Sequence, residues 1–244
     1  MIALGLLILT AVLLLGGIFL RRRYPGAFRP IEAYERLNRS VGLAVESGTR
    51  LHISIGRGNL FTTRGASALA ALAMLRKLSE RTSLSDRPPV VTSGDASLAI
   101  LSQDTLQAGY RAAAAEEQYR PSTGRLTGLT PFSYAAGTVP ITRDENVSTN
   151  VFIGDFGPES ALLAEAAERE NSTVIAASDN ISAQSVFYAS SQDPLIGEEL
   201  FAAGAYVGAG AAHDASLTVQ DILRWLIIIV ILIGALLKFV SGAI

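Results

Sequence analysis

Two hydrocarbon-length apolar runs, one at each end of the chain, constrain this sequence more than anything between them. Ile2 to Leu20 carries no charged side chain, and Arg21, Arg22 and Arg23 follow at once. The second run, Ile222 to Leu237, is broken only by Arg224 near its start. A helix rises about 1.5 Å per residue, so roughly 20 apolar residues cross the hydrocarbon core of a bilayer. The first run has that length outright. The second attains it when Phe239 and Val240 are included and Lys238 snorkels to the far headgroups. A cleavable signal peptide is the competing reading of the first run. It needs a basic segment before the apolar core and small residues after it, whereas here the arginines come afterwards and lead into Tyr24 and Pro25. The reading is therefore a two-pass membrane protein, with spans over 1–20 and 221–240.

Basic residues near membrane ends resist translocation, and this sets the orientation. Arg21, Arg22, Arg23 and Arg29 flank the inner end of the first span and Arg224 the start of the second, against Lys238 alone on the other side. The expectation is a central domain in the cytoplasm and both termini outside, in the plasma membrane. Trp225 suits the interface at the mouth of the second span, and lipid-facing filler is the plain alternative. Gly16, Gly17 and Gly234 would permit close helix approach, but none stands in a strong small-xxx-small pattern.

The 244 residues leave roughly 200 between the spans, which suits one domain. A net charge of -2 gives no basic field for nucleic acid. With no cysteine, disulfides, thiolate catalysis and Cys-ligated metal are excluded. The stretch 21–50 reads as a juxtamembrane linker around Pro25 and Pro30, then an amphipathic helix with Ile31, Tyr34, Leu37, Val41 and Val45 on one side. From 51 to 213 the pattern predicts strands at 51–55, 90–92, 150–153 and 173–177. Helices are predicted at 66–81, 96–117, 160–170 and 181–189, with a short last one near Glu198 and Glu199. Residues 119–146 show no clean period and read as a long excursion with a hairpin near 132–141. Val207 reads as an edge strand. Strands alternating with helices imply an α/β fold with an open, mostly parallel, doubly wound Rossmann-like sheet.

Three strands end alike, at Ser93-Gly94-Asp95, Ile153-Gly154-Asp155 and Ala177-Ser178-Asp179. In an open parallel sheet the carboxyl ends share one edge, where ligands bind at the strand-order reversal. Asp95, Asp155 and Asp179 are thus candidate ligand residues, joined by Arg57 in the Gly56-Arg57-Gly58-Asn59 turn, which could meet an anion. The plain alternative is that aspartate before a helix is a helix cap. Which metal or ligand such a site would take, if any, is open. Asp155-Phe156-Gly157 spells the magnesium tripeptide of protein kinases without the motifs that accompany it there, and is coincidence. GxGxxG, GxxxxGK[ST], HExxH, GxSxG and SxxK are absent. His52 falls inside a predicted strand. His213, beside Asp214, reads as a juxtamembrane loop residue, so no catalytic residue is assigned.

The segments FTTRGASALAAL, RPPVVTSGDASLAILSQDTLQAGY and VFIGDFGPESALL resemble a family of bacterial membrane proteins described only as a domain of unknown function. The resemblance runs from about Pro30 to Ala212 and implies no activity or site residue. The first expectation is a self-assembling scaffold or accessory subunit of a membrane complex, its partners being the bilayer and other copies or subunits. Ala-rich helices offer flat surfaces for such contacts. The alternatives are a small-ligand or metal-binding sensor and a metal-assisted hydrolase, both using the carboxyl edge.

Overall fold

The computed structural model describes residues 2–24, 28–62 and 65–242. Pro25 of the expected linker lies outside them. The chain divides into two compact units, residues 1–28 with 210–244, and residues 29–209.

The first unit holds the helices α1 (Ile2–Arg23) and α9 (Ala211–Gly242), both long and apolar enough to cross a membrane. They pack against each other where α1 presents Gly17: a Cβ placed there would lie 3.2 Å from that of Ala215 and 3.8 Å from Val219. One turn on, the Arg21 guanidinium donates to Thr218 Oγ1 at 2.7 Å and lies over the Phe28 ring. Small residues let the backbones approach closely, as in membrane helix pairs. His213 and Asp214 are in the first turn of α9, not in a loop.

The second unit is a five-stranded parallel sheet of order β3-β2-β1-β4-β5, formed by β1 (Arg50–Gly56), β2 (Val90–Ser93), β3 (Gly124–Leu126), β4 (Val147–Asp155) and β5 (Thr173–Ser178). It is the doubly wound α/β fold that the alternation predicts. On one face α2 (Glu32–Ser47), α3 (Gly65–Thr82), α4 (Ala96–Ala112) and the turn α8 (Ala203–Tyr206) bury Tyr34, Leu75, Leu98 and Val207 against Ile53, Val91, Val151 and Ile175. On the other, α5 (Pro131–Asp144), α6 (Ser160–Arg169) and α7 (Ile181–Ser190) pack Tyr134, Leu163 and Phe187 on Phe152, Phe156 and Ala176. Alternate side chains of a strand point to opposite faces, and here the second face is partly polar. His52 of β1 bridges its neighbours: Nδ1–H donates to Asn150 Oδ1 at 2.7 Å, and Nε2 accepts from the Thr92 hydroxyl at 2.9 Å. Asn150 Nδ2 passes the chain on to Ser172 at 2.7 Å.

The expectation fails in four places. Residues 119–146 are an ordered crossover, not an excursion with a hairpin, made of edge strand β3 and helix α5. A capping box at Thr130 and Ser133 starts α5 and Pro140 lies within it, which blurs its periodicity. Val207 follows α8 as its C-cap and is not in a strand. Third, α4 ends at Ala112, followed by Ala114 at a positive φ of 54° and a 3-10 turn over Glu116–Gln118. The fourth is His213, helical rather than in a loop because α9 begins before the apolar stretch does.

Candidate functional site

Strand order reverses between β1 and β4: β1, β2 and β3 step one way, and α5 carries the chain back over the sheet to β4 on the other side of β1. The carboxyl ends of those two strands are where open sheets of this kind bind ligands. The backbone there is tightly tied. Arg57 N–H donates to Asp155 O at 2.8 Å, and Gly94 N–H to Gly56 O at 2.9 Å. Gly56 has φ +73°, and a Cβ on it would collide with the Asp155 carbonyl, so only glycine fits.

Arg57 spans the reversal. Its stem crosses Gly94, where an added Cβ would collide with Arg57 Cγ, so the glycine provides clearance for the arginine. Its Nε then donates to Glu159 Oε1 at 2.8 Å, with Arg57 a quarter exposed and the Glu159 side chain fully buried. Glu159 Oε1 also accepts from Gly157 N–H at 3.0 Å. Glu159 Oε2 is buried with no hydrogen-bond partner among the described residues. Burial by itself would raise the Glu159 pKa, but Arg57 and the backbone N–H groups of Gly157 and Glu159 outweigh it and hold the carboxyl below its ordinary range.

The three strand-end aspartates part company here. Asp95 is a helix cap: its side chain accepts from the backbone of Ser97 at 2.9 Å and Leu98 at 3.2 Å at the start of α4. It also draws Asn59 Nδ2 to 3.4 Å. Asp155 closes β4 five residues before α6 and does not cap it, its register partner being Gly56. Asp179 does not cap α7 either, since Asn180 holds that position and accepts from Ser182 N–H at 3.0 Å. Asp179 follows β5, one strand further out than β4. The structure thus gathers Arg57, Asn59, Asp95 and the Asp155 backbone about β1. Among the described residues no group of three His, Cys, Asp or Glu is placed to hold a metal ion.

Glu159 has no signal in the sequence. An acidic residue just before a helix is ordinary dipole complementation, and nothing in Gly157-Pro158-Glu159 says the carboxylate points inward. His52 lies away from this edge, fully buried, its pKa pushed down to about 4 chiefly by burial, with Arg125 adding to it against the Asn150 bond.

The same edge carries apolar side chains in the open. Phe61 (90% exposed) sits in the β1–α3 loop, Leu126 and Leu129 lie at and beyond the end of β3, Phe132 opens α5 and Ile181 opens α7. Phe132 also lines an apolar groove of about 480 Å³ between α5 and α6, with Ala135, Val139, Leu162 and Ala166.

Along its whole length, residues 1–244, the chain matches the family model described as Domain of unknown function (DUF6754). It belongs to that family. No curated protein and no solved structure matches it.

Proposed function

We propose that this DUF6754 protein is a two-pass membrane-anchored scaffold or accessory subunit, whose α/β unit assembles with copies of itself or with another subunit. The carrying observation is the apolar rim. Large apolar side chains stand exposed on loops and helix starts from three different strand ends of one sheet edge, Leu126, Leu129 and Phe132 together at and beyond the end of β3, which favours a contact surface there. Arg21, Arg22 and Arg23 at the end of α1 favour a cytoplasmic α/β unit, with both termini on the far side of a bacterial plasma membrane. The test is the mass of the full chain in nanodiscs, by light scattering, for the native sequence and for Phe61→Ser with Phe132→Ser. A discrete oligomer, or a co-purifying subunit, that the paired substitution weakens supports the reading. A monomer with no bound protein refutes it.

A second reading is favoured by Glu159. A fully buried carboxylate oxygen without a partner, beside an arginine at the switch point, is where a small ligand with a hydrogen-bond donor would bind. Native mass spectrometry of the same sample tests it: a stoichiometric small molecule lost in Glu159→Gln supports a sensor, and none found in the native protein counts against it.

A further inference from the structure

The underside of α5 differs from those of α6 and α7, its neighbours on the same face of the sheet. Its buried residues are Tyr134, Ala135, Thr138, Ile141 and Thr142, and three of these carry hydroxyls. Each hydroxyl is hydrogen-bonded. Tyr134 pairs with Ser54 of β1, Thr142 donates to Asn150 Oδ1 of β4 at 3.3 Å, and Thr138 pairs with Thr127 at 2.8 Å. Beneath them Ser54, His52, Thr92 and Asn150, from three adjacent strands, form a fully buried polar strip on the sheet. In contrast, α6 and α7 set Leu163 and Phe187 against Phe152, Phe156 and Ala176. Hydroxyls that leave such a strip exchange protein partners for water at little net cost, whereas apolar contacts have no such substitute. The helix also supports itself weakly, because Pro140 has no N–H to offer the Ala136 carbonyl and Gly137 adds backbone freedom.

We propose that α5 is a lid on this strip, opening from the sheet as a unit while β1, β2 and β4 stay paired. The strip makes that opening sensitive to protons. His52 lies in it between Asn150 and Thr92, with the Phe152 ring edge-on. Arg125 of β3 acts against a charge on the imidazole, and Arg125 and Arg50 are in turn held by Glu145 just past α5. No carboxylate is bonded to His52 among the described residues. With α5 closed, burial keeps the imidazole neutral down to about pH 4. With α5 open it meets water and titrates near its ordinary 6.5. Between those values opening takes up a proton and grows easier as pH falls. From pH 7 to 5 the opening constant should rise roughly 20-fold.

The test is hydrogen–deuterium exchange of the full chain in nanodiscs at pH 7 and pH 5, corrected for the chemical exchange rate. Native α5 amides are expected to exchange through an opening that β1 and β4 do not share, roughly 20-fold more populated at the lower pH. In His52→Gln that rise should vanish while α5 still opens separately. Thr142→Val removes one tie and no titratable group. It should open α5 further at both pH values and leave β1 and β4 unchanged. If α5 is as protected as β1 and β4 at both pH values, there is no lid. If α5 opens separately but with the same pH dependence in His52→Gln, its opening does not uncover the strip and the proposal falls.

Discussion

Replacing Arg57 by alanine removes the charged partner of a carboxylate that has no other cation bonded to it among the described residues. Breaking a buried ion pair by deleting one member costs about 3–5 kcal/mol, most of it from the charge left behind. Arg57 is a quarter exposed and the Gly157 N–H bond survives its loss, so the low end, about 3 kcal/mol, is expected. Glu159→Gln keeps the shape and removes the charge, and should cost about 1–2 kcal/mol. The double variant should cost less than the sum, because the second change has no stranded charge to create. The assay is hydrogen–deuterium exchange of the β1 and β4 amides in the full chain in nanodiscs, which reads the opening free energy of the α/β unit.

The pH dependence sharpens this. In the native protein the Glu159 pKa is held below its unfolded value. Its contribution is therefore present above that unfolded value and lost as pH falls through the folded pKa. Without Arg57, only the backbone N–H groups oppose burial, so the folded pKa rises. The carboxyl then contributes less to stability at neutral pH than in the native protein, and that deficit shrinks as pH falls through the raised pKa. The gap between native and Arg57→Ala proteins should thus narrow on acidification. An Arg57→Ala protein with native opening energies and a native pH profile would refute the claim that this pair ties the switch point together.

Three further outcomes are expected. Gly94→Ala should reproduce part of the Arg57→Ala loss, since the new Cβ displaces the arginine stem; the same exchange assay reads it, and an unchanged β4 would contradict it. His52, with a folded pKa near 4 against 6.5 unfolded, must stay neutral in the fold, so its contribution is full above the unfolded pKa and lost as pH falls toward 4. From pH 7 to 5 that amounts to about 2 kcal/mol, visible as the difference in acid sensitivity between the native chain and His52→Gln; equal slopes would count against it. Gly17→Cys with Ala215→Cys should close an intrachain disulfide on oxidation, because the Cβ positions nearly meet; failure would undo the α1–α9 register.

The fold was legible wherever period and punctuation agree. Leu51 to Ile55 and Thr173 to Ala177 announce strands because β-branched runs end in Gly or Ser, and the Ala/Leu-rich 66–81 announces α3. The crossover from β3 to β4 stayed hidden because β3 is three residues long and α5 contains both Gly137 and Pro140, residues that ordinarily break a helix. What holds α5 is tertiary: its Tyr134 is buried, and its hydroxyl pairs with Ser54 on the sheet. Local pattern cannot register a contact made eighty residues away.

At the candidate site the repeated small-residue-plus-Asp ending was real as turn chemistry and misleading as a set. Only Asp95 caps, because only there does the helix begin at the next residue. After Asp155 the chain runs four residues further, through Gly157 and Pro158, before α6 begins. That extra length is what lets Glu159 reach under the end of β1 and meet Arg57. The residue that pairs with Arg57 at the switch point is therefore supplied by a loop's length rather than by a motif. A search for matching strand ends finds the edge of the sheet but passes over the one acid that turns inward at it.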